Sequence, residues 1–156
     1  MKIRISDWCF EVDLESTFDH TLENSRDHCE CAYCRNFYDC VDMIYPNVRT
    51  FLAQFGVVLD GPSELMPFEP TLILACYRVQ GSVLKWGNIP LDVDGMHVTI
   101  EEAEDNTFFI WLGEMIFPWC QSERIDEVIS PANDPDFMER MRQIWYLRHE
   151  EEYVFS

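Results

Sequence analysis

The residues best suited to chemistry are four cysteines and a histidine in the stretch HCECAYCRNFYDC, residues 28–40. Thiolates and imidazoles bind zinc in tetrahedral geometry, and a Cys-x-x-Cys turn aims two ligands at one point. Cys31 and Cys34 have that spacing at the predicted start of a helix, where the helix dipole favours thiolate. His28 and Cys29 lie close enough to complete the site if the preceding segment folds back. The stretch therefore predicts a candidate metal site of Cys31, Cys34, Cys29 and His28.

The same cysteines fit two other interpretations. A Cys-x-x-Cys pair at a helix N-terminus can activate its first thiol, here Cys31, for redox chemistry. A thioredoxin-like unit, however, places an apolar strand before the pair, whereas this chain has the polar segment TLENSRDHCE. The sequence favours the structural interpretation, in which Cys34 is a small core residue and the other cysteines are partly buried thiols.

Other chemistry-bearing residues do not join this site by spacing. Cys40 does not fit beside Cys34, because six helical residues place it about 120° around the helix axis. The sequence contains no phosphate-binding loop, Gly-x-Ser-x-Gly motif or dinucleotide fingerprint, so no catalytic residue is predicted. The remaining candidates are remote in sequence and cannot be placed relative to the run: Cys9, Cys76, Cys120 and His97.

Two consecutive helices are predicted to carry the cysteine run. Apolar residues at three- and four-residue spacing predict one helix over 32–44 and a second over 46–55. Pro46 separates them, because it disfavours helical continuation through Tyr45 and suits the first position of a new helix. The same reasoning predicts a C-terminal helix over 135–147. The cysteines are thus expected at the start of the first helix of a proline corner.

The remaining apolar pattern has a period of two and predicts a sheet. Strands are expected over four ranges: 3–14, 71–79, 96–103 and 107–113. A bulge near Asp7 reconciles the two apolar phases of the first strand. Residues 15–30 are predicted to be a loop, 59–70 a linker and Gly81–Ser82 a turn, while Asp94–Gly95 is typical of a hairpin.

This order of elements predicts a single α+β domain over residues 1–156. The sheet is expected to be mostly antiparallel, with two consecutive helices joined at a proline corner and a C-terminal helix. Six side chains are predicted to be largely buried: Phe37, Val41, Phe51, Leu52, Leu74 and Trp111.

The chain is strongly acidic, with 29 acidic and 11 basic residues and a formal net charge of −18. Such a charge repels nucleic-acid phosphates and anionic membranes and attracts basic partners. Glu11, Asp13 and Glu15 are predicted to form an acidic stripe on one face of the first strand. Apolar runs are far shorter than the roughly 20 residues of a membrane-spanning helix, and no export signal is recognised, so a cytoplasmic protein is expected. Seven cysteines, an odd number, argue against a complete disulfide framework.

Three motifs carry a resemblance to a known group of proteins. They are CAYCRNF at 31–37, FLAQFGVVLDGPSEL at 51–65 and FPWC at 117–120. Together they resemble a loosely defined family of uncharacterised bacterial proteins with a Cys-x-Tyr-Cys-x-Asn-Phe stretch and a late Pro-Trp element. The resemblance covers roughly residues 28–120. It implies one compact domain and carries no activity, because no function is assigned to the family.

By elimination, the sequence predicts a non-enzymatic, macromolecule-binding protein. Its acidic and aromatic surface is expected to bind an unidentified protein partner, and no nucleic acid or membrane. The first alternative is a small zinc-stabilised domain that uses Cys31 and Cys34. The second is a thiol-dependent redox protein with Cys31 as the attacking group. Zinc is the only cofactor that any of these hypotheses requires.

Overall fold

A computed structural model of the chain describes residues 1–69 and 72–122, which form an α+β fold. The helices are α1 (Leu14–Arg26), α2 (Ala32–Ile44) and α3 (Val48–Ala53). The strands are β1 (Lys2–Ile5), β2 (Trp8–Val12), β3 (Glu64–Glu69), β4 (Leu72–Lys85), β5 (Leu91–Val93), β6 (Met96–Ala103) and β7 (Thr107–Ile116). The predicted helix over 135–147 lies outside the described residues.

The sheet is antiparallel and is organised around the long strand β4. Strand order is β1-β2-β4-β7-β6-β5, and β3 also pairs with β4. The first half of β4 pairs with β3, its second half pairs with β2, and β7 runs along the opposite edge of β4. The predicted α+β class with a mostly antiparallel sheet is confirmed.

Helices α2 and α3 cover one face of the sheet. Their buried residues, among them Phe37, Val41 and Leu52, join one core with the alternate residues Ile73 and Tyr77 of β4. On the opposite face, Leu74 and Cys76 pack with Met66 and Trp111 in a smaller cluster. Five of the six side chains predicted to be buried are buried, and Phe51 is only half-buried.

The predicted helix over 32–44 is confirmed at both ends, and the strand over 96–103 also has its predicted bounds. The second helix, predicted over 46–55, is the shorter α3. Tyr45 ends α2, and Asn47 precedes the first residue of α3. The Asp94–Gly95 hairpin turn is confirmed, since both residues have a positive φ between β5 and β6.

The loop predicted over 15–30 is wrong, because α1 occupies most of it. Asp13 caps this helix by accepting the backbone N–H of Ser16 at 3.0 Å. Its buried face is made of threonines instead of apolar residues: Thr17 accepts the backbone N–H of Gln80, and Thr21 accepts that of Val58, each at 3.0 Å. A helix face that packs through hydrogen-bonding threonines shows no periodic pattern of apolar residues, so the sequence pattern did not indicate a helix here.

The predicted strand over 3–14 is also wrong, because β1 and β2 form a hairpin. Ile5 pairs with Trp8, and Ser6 takes a positive φ in the turn between them. The acidic stripe therefore does not form: only Glu11 lies on β2, Asp13 caps α1, and Glu15 lies in its first turn.

The region around β4 required two further corrections. The predicted Gly81–Ser82 turn is wrong, because β4 continues through both residues. The glycine instead allows β2 to come close, since a Cβ at Gly81 would collide with the carbonyl oxygen of Glu11. The linker predicted over 59–70 contains β3. Its Pro67 is tolerated because the strand pairs with β4 alone among the described strands.

Candidate metal centre

Cys29, Cys31 and Cys34 bring their three sulfur atoms to within 4.8 Å of one another. Cys31 is the N-cap residue of α2, and Cys34 lies in the first turn of that helix. Cys34 is buried, whereas Cys29 and Cys31 are exposed. In a tetrahedral zinc site with Zn–S distances near 2.3 Å, sulfurs are about 3.8 Å apart. The three sulfurs are therefore close to the spacing that a shared zinc ion requires.

Hydrogen bonding within the three-cysteine cluster shifts the pKa values of Cys31 and Cys34 in opposite directions. The side chain of Cys34 donates to Cys31, and this bond, helped by backbone N–H groups at the start of α2, lowers the pKa of Cys31 to about 5. The same bond and burial raise the pKa of Cys34 far above its usual range. The backbone N–H of Cys31 donates to the sulfur of Cys29 at 3.4 Å. Cys31 is thus a thiolate at neutral pH, the form that binds metal.

His28 lies beside the three-cysteine cluster but is not part of it. Its Nδ1 donates to the backbone carbonyl of Ser25 at 2.8 Å, and its ring lies 4.6 Å from that of Tyr38. Because a carbonyl can only accept, this bond leaves Nε2 of the neutral ring with its lone pair. A metal-binding histidine has the same pattern, with its other nitrogen donating to a carbonyl.

An open cleft of about 420 Å³ borders the cluster. Cys29 and Cys34 form part of its wall together with His28, so three of the four predicted ligands face a common space. Three carboxylates also line the cleft, from Glu23, Asp27 and Glu64. A cation in the cleft would therefore meet sulfur atoms on one side and carboxylates on the others.

The remaining thiols lie elsewhere in the described residues. Cys9 lies on β2, and Cys76 is buried on β4. Cys40, which did not fit the zinc site by spacing, lies with its sulfur 3.1 Å from that of Cys120. Sequence reasoning missed this pair because 80 positions separate the two residues and no local pattern links them.

Comparison of the chain with models of known protein families, with curated proteins and with solved structures gave no match. The resemblance to the bacterial family with a Cys-x-Tyr-Cys-x-Asn-Phe stretch therefore stays a prediction. No helix within 1–69 and 72–122 is long and apolar enough to cross a membrane.

Proposed function

We propose that the protein binds one zinc ion through the thiolates of Cys29, Cys31 and Cys34. The observation that carries this proposal is the approach of three sulfurs to within 4.8 Å. Redox chemistry requires only two of these thiols, and the structural interpretation requires only the buried Cys34. Neither alternative explains why a third sulfur lies beside the other two. Thiolate ligands are soft, which favours zinc over magnesium or calcium.

The zinc ion would stabilise the connection between α1 and α2. That connection, residues 27–31, contains two of the three ligands and has neither helical nor strand structure. Cys34 supplies a ligand from α2 itself, so a bound ion would tie the connection to the first turn of the helix. Metal binding to groups that are mobile without it contributes directly to folding free energy.

His28 is the fourth ligand of this proposal. It is adjacent to Cys29 on the same connection, lines the same cleft, and has its Nε2 lone pair available. Its ring nitrogens do not share the 4.8 Å spacing of the sulfurs, so the ring would move toward them when zinc binds. A site of three cysteines and one histidine is an established structural type.

Metal analysis tests the proposal directly. Chain purified under reducing conditions should contain about one zinc ion, and Co²⁺ in its place should give a thiolate-to-cobalt charge-transfer band. Cys34→Ser should lose the zinc and most of the band, whereas the control Cys9→Ser, on β2, should retain both. A wild-type chain that binds neither metal, or a Cys34→Ser chain with an unchanged band, would overturn the proposal.

A thiol redox function is the second candidate, favoured by the lowered pKa of Cys31. The Cys31 thiolate would attack a substrate disulfide and release one substrate thiolate. Cys34 would then lose its proton and displace the second, leaving a Cys31–Cys34 disulfide and a reduced substrate. Rapid formation of that disulfide from oxidised glutathione, in a chain that binds no zinc, would support this function over the first.

Binding of an unidentified protein partner, the leading hypothesis from sequence, is supported by exposed apolar side chains. Leu84, Trp86 and Ile89 are 51%, 48% and 56% exposed. The Trp8 indole N–H donates to the carbonyl of Ile89 at 2.7 Å, which holds this segment against the β1–β2 hairpin. An ordered apolar patch on an acidic chain suits a partner with basic and apolar groups. Affinity capture by the wild type, abolished by Trp86→Ser and weakened by salt, is the expected result.

A further inference from the structure

A pair of thiols, one of them on helix α2, lies apart from the three-cysteine cluster. The sulfur of Cys40 lies 3.1 Å from the sulfur of Cys120, which follows β7 in the chain. Cys40 is buried on the core face of the helix, with 1% of its surface exposed, and Cys120 is exposed. One thiol of the pair is therefore accessible to solvent, and the other is reached only through its partner.

Asn36 holds Cys120 in place. The Asn36 side chain is fully buried, and its amide nitrogen donates to the Pro118 carbonyl at 2.9 Å. Its amide oxygen accepts the backbone N–H of Cys120 at 2.8 Å. Phe117 anchors the same segment, since it is buried with its ring 5.6 Å from that of Phe37. Asn36 and Phe117 thus hold the segment that carries Cys120 against α2, and this brings the two sulfurs together.

Exposure decides which thiol of this pair meets an oxidant. The Cys40 thiol donates toward the Cys120 sulfur, and burial together with this bond raises the pKa of Cys40 to about 12. Cys120 is the exposed partner. Cys120 is therefore the sulfur that meets an oxidant first.

We propose that Cys40 and Cys120 are an oxidation site that closes to a reversible disulfide when the chain meets hydrogen peroxide. The Cys120 thiolate attacks one peroxide oxygen, the O–O bond breaks, and the leaving hydroxide takes a proton to form water. This leaves a sulfenic acid on Cys120. The Cys40 sulfur then attacks Cys120, the S–O bond breaks, and the departing hydroxide takes the Cys40 proton as a second water. Two electrons pass from the sulfurs to the peroxide, and an excess of small thiol reverses the change.

Closing the disulfide requires little rearrangement. The sulfurs must approach by about 1 Å to reach the S–S bond length of about 2.05 Å. The bond would tie α2 to the segment after β7, where Asn36 already connects them by hydrogen bonds. Oxidation should therefore preserve the fold and raise its thermal midpoint, because the crosslink spans 80 positions of the chain.

Peroxide treatment of the reduced, zinc-supplied full chain, followed by denaturation, alkylation and peptide mapping, tests this site. Free thiols should fall from seven to five, and one peptide pair should join Cys40 to Cys120. Dithiothreitol should restore all seven. Cys120→Ser should leave no such pair, whereas Cys9→Ser should still form it. A disulfide elsewhere, irreversible oxidation of Cys120 alone, or unchanged thiols after peroxide would each overturn the proposal, and the wild-type map decides even if a variant folds poorly.

Discussion

Helix α2 contributes one thiol to each of two groups, and the groups differ in number, exposure and support. At its first turn, three sulfurs meet beside an open, acidic cleft, and two of them belong to a connection without regular structure. About two turns further along, the Cys40 sulfur contacts the sulfur of Cys120. The segment that carries Cys120 is held by two hydrogen bonds, one to the amide nitrogen and one to the amide oxygen of Asn36. The first group borders an open cleft, whereas the two sulfurs of the second are already in contact.

This difference shows how the surroundings of a cysteine decide its chemistry. Three thiols next to a cleft leave room for an ion and for a fourth ligand, and the ion would tie the connection to the first turn of α2. Two thiols in contact have no such room, but they are positioned for a bond to each other. We therefore expect metal to act on the first group and oxidant on the second.

Zinc removal should produce the largest loss of folding stability. This loss should require the three-cysteine cluster and not the Cys40–Cys120 pair. A ligand present at a thousand times its Kd stabilises the folded state by about 4 kcal/mol, so a strong chelator should lower the urea midpoint markedly. Cys120→Ser should respond to the chelator like the wild type, and Cys34→Ser should not respond at all. If the chelator lowers the urea midpoint of Cys34→Ser as much as that of the wild type, the three-cysteine cluster is not the metal-binding group.

Asn36→Ala should have the next largest effect, confined to the second group. It deletes two partly buried hydrogen bonds, one to the Cys120 N–H and one to the Pro118 carbonyl, at a cost of about 1–3 kcal/mol. Urea unfolding should measure the loss, and peroxide should form less of the Cys40–Cys120 disulfide. Asn88→Ala is the matched control, because its exposed side chain makes neither bond. Unchanged disulfide yield in Asn36→Ala would show that Asn36 does not position Cys120.

His28→Asn should weaken zinc binding by at least about tenfold without abolishing it, since three thiolates remain. Competition with a colorimetric chelator would measure the affinity. His97→Asn, an exposed change on β6, is the control and should bind zinc like the wild type. If both variants bind equally well, the fourth ligand is not His28.

The smallest expected effect is the pH dependence of Cys31 alkylation in the metal-free chain. Its pKa is lowered, so the folded chain favours the thiolate above pH 5 and loses it as the pH falls through about 5. An ordinary thiol loses its thiolate near pH 8.5. Because a less basic thiolate is a weaker nucleophile, the rate gain near pH 6.5 should be only several-fold. Peptide-resolved alkylation should give a midpoint near 5, and a midpoint near 8.5 would contradict the assigned hydrogen bond from Cys34.

Part of the fold and of the candidate site could be predicted from sequence, and local residue patterns decided which part. The bounds of α2 follow from its apolar period, and the three-cysteine cluster follows from residues within six positions of each other. By contrast, α1 docks through Thr17 and Thr21, which carry no hydrophobic signal. The Cys40–Cys120 contact depends on how β7 returns to α2 across 80 positions, and only tertiary structure shows it.

Native mass spectrometry of the reduced, zinc-supplied chain before and after peroxide tests the two-group account most directly. The chain should first carry one zinc ion. After peroxide it should lose the mass of two hydrogen atoms and keep the zinc, because the disulfide forms between Cys40 and Cys120 while the metal protects the other thiols. Loss of zinc together with the two hydrogens would place the disulfide in the three-cysteine cluster, and a chain without zinc at the start would contradict the metal site itself.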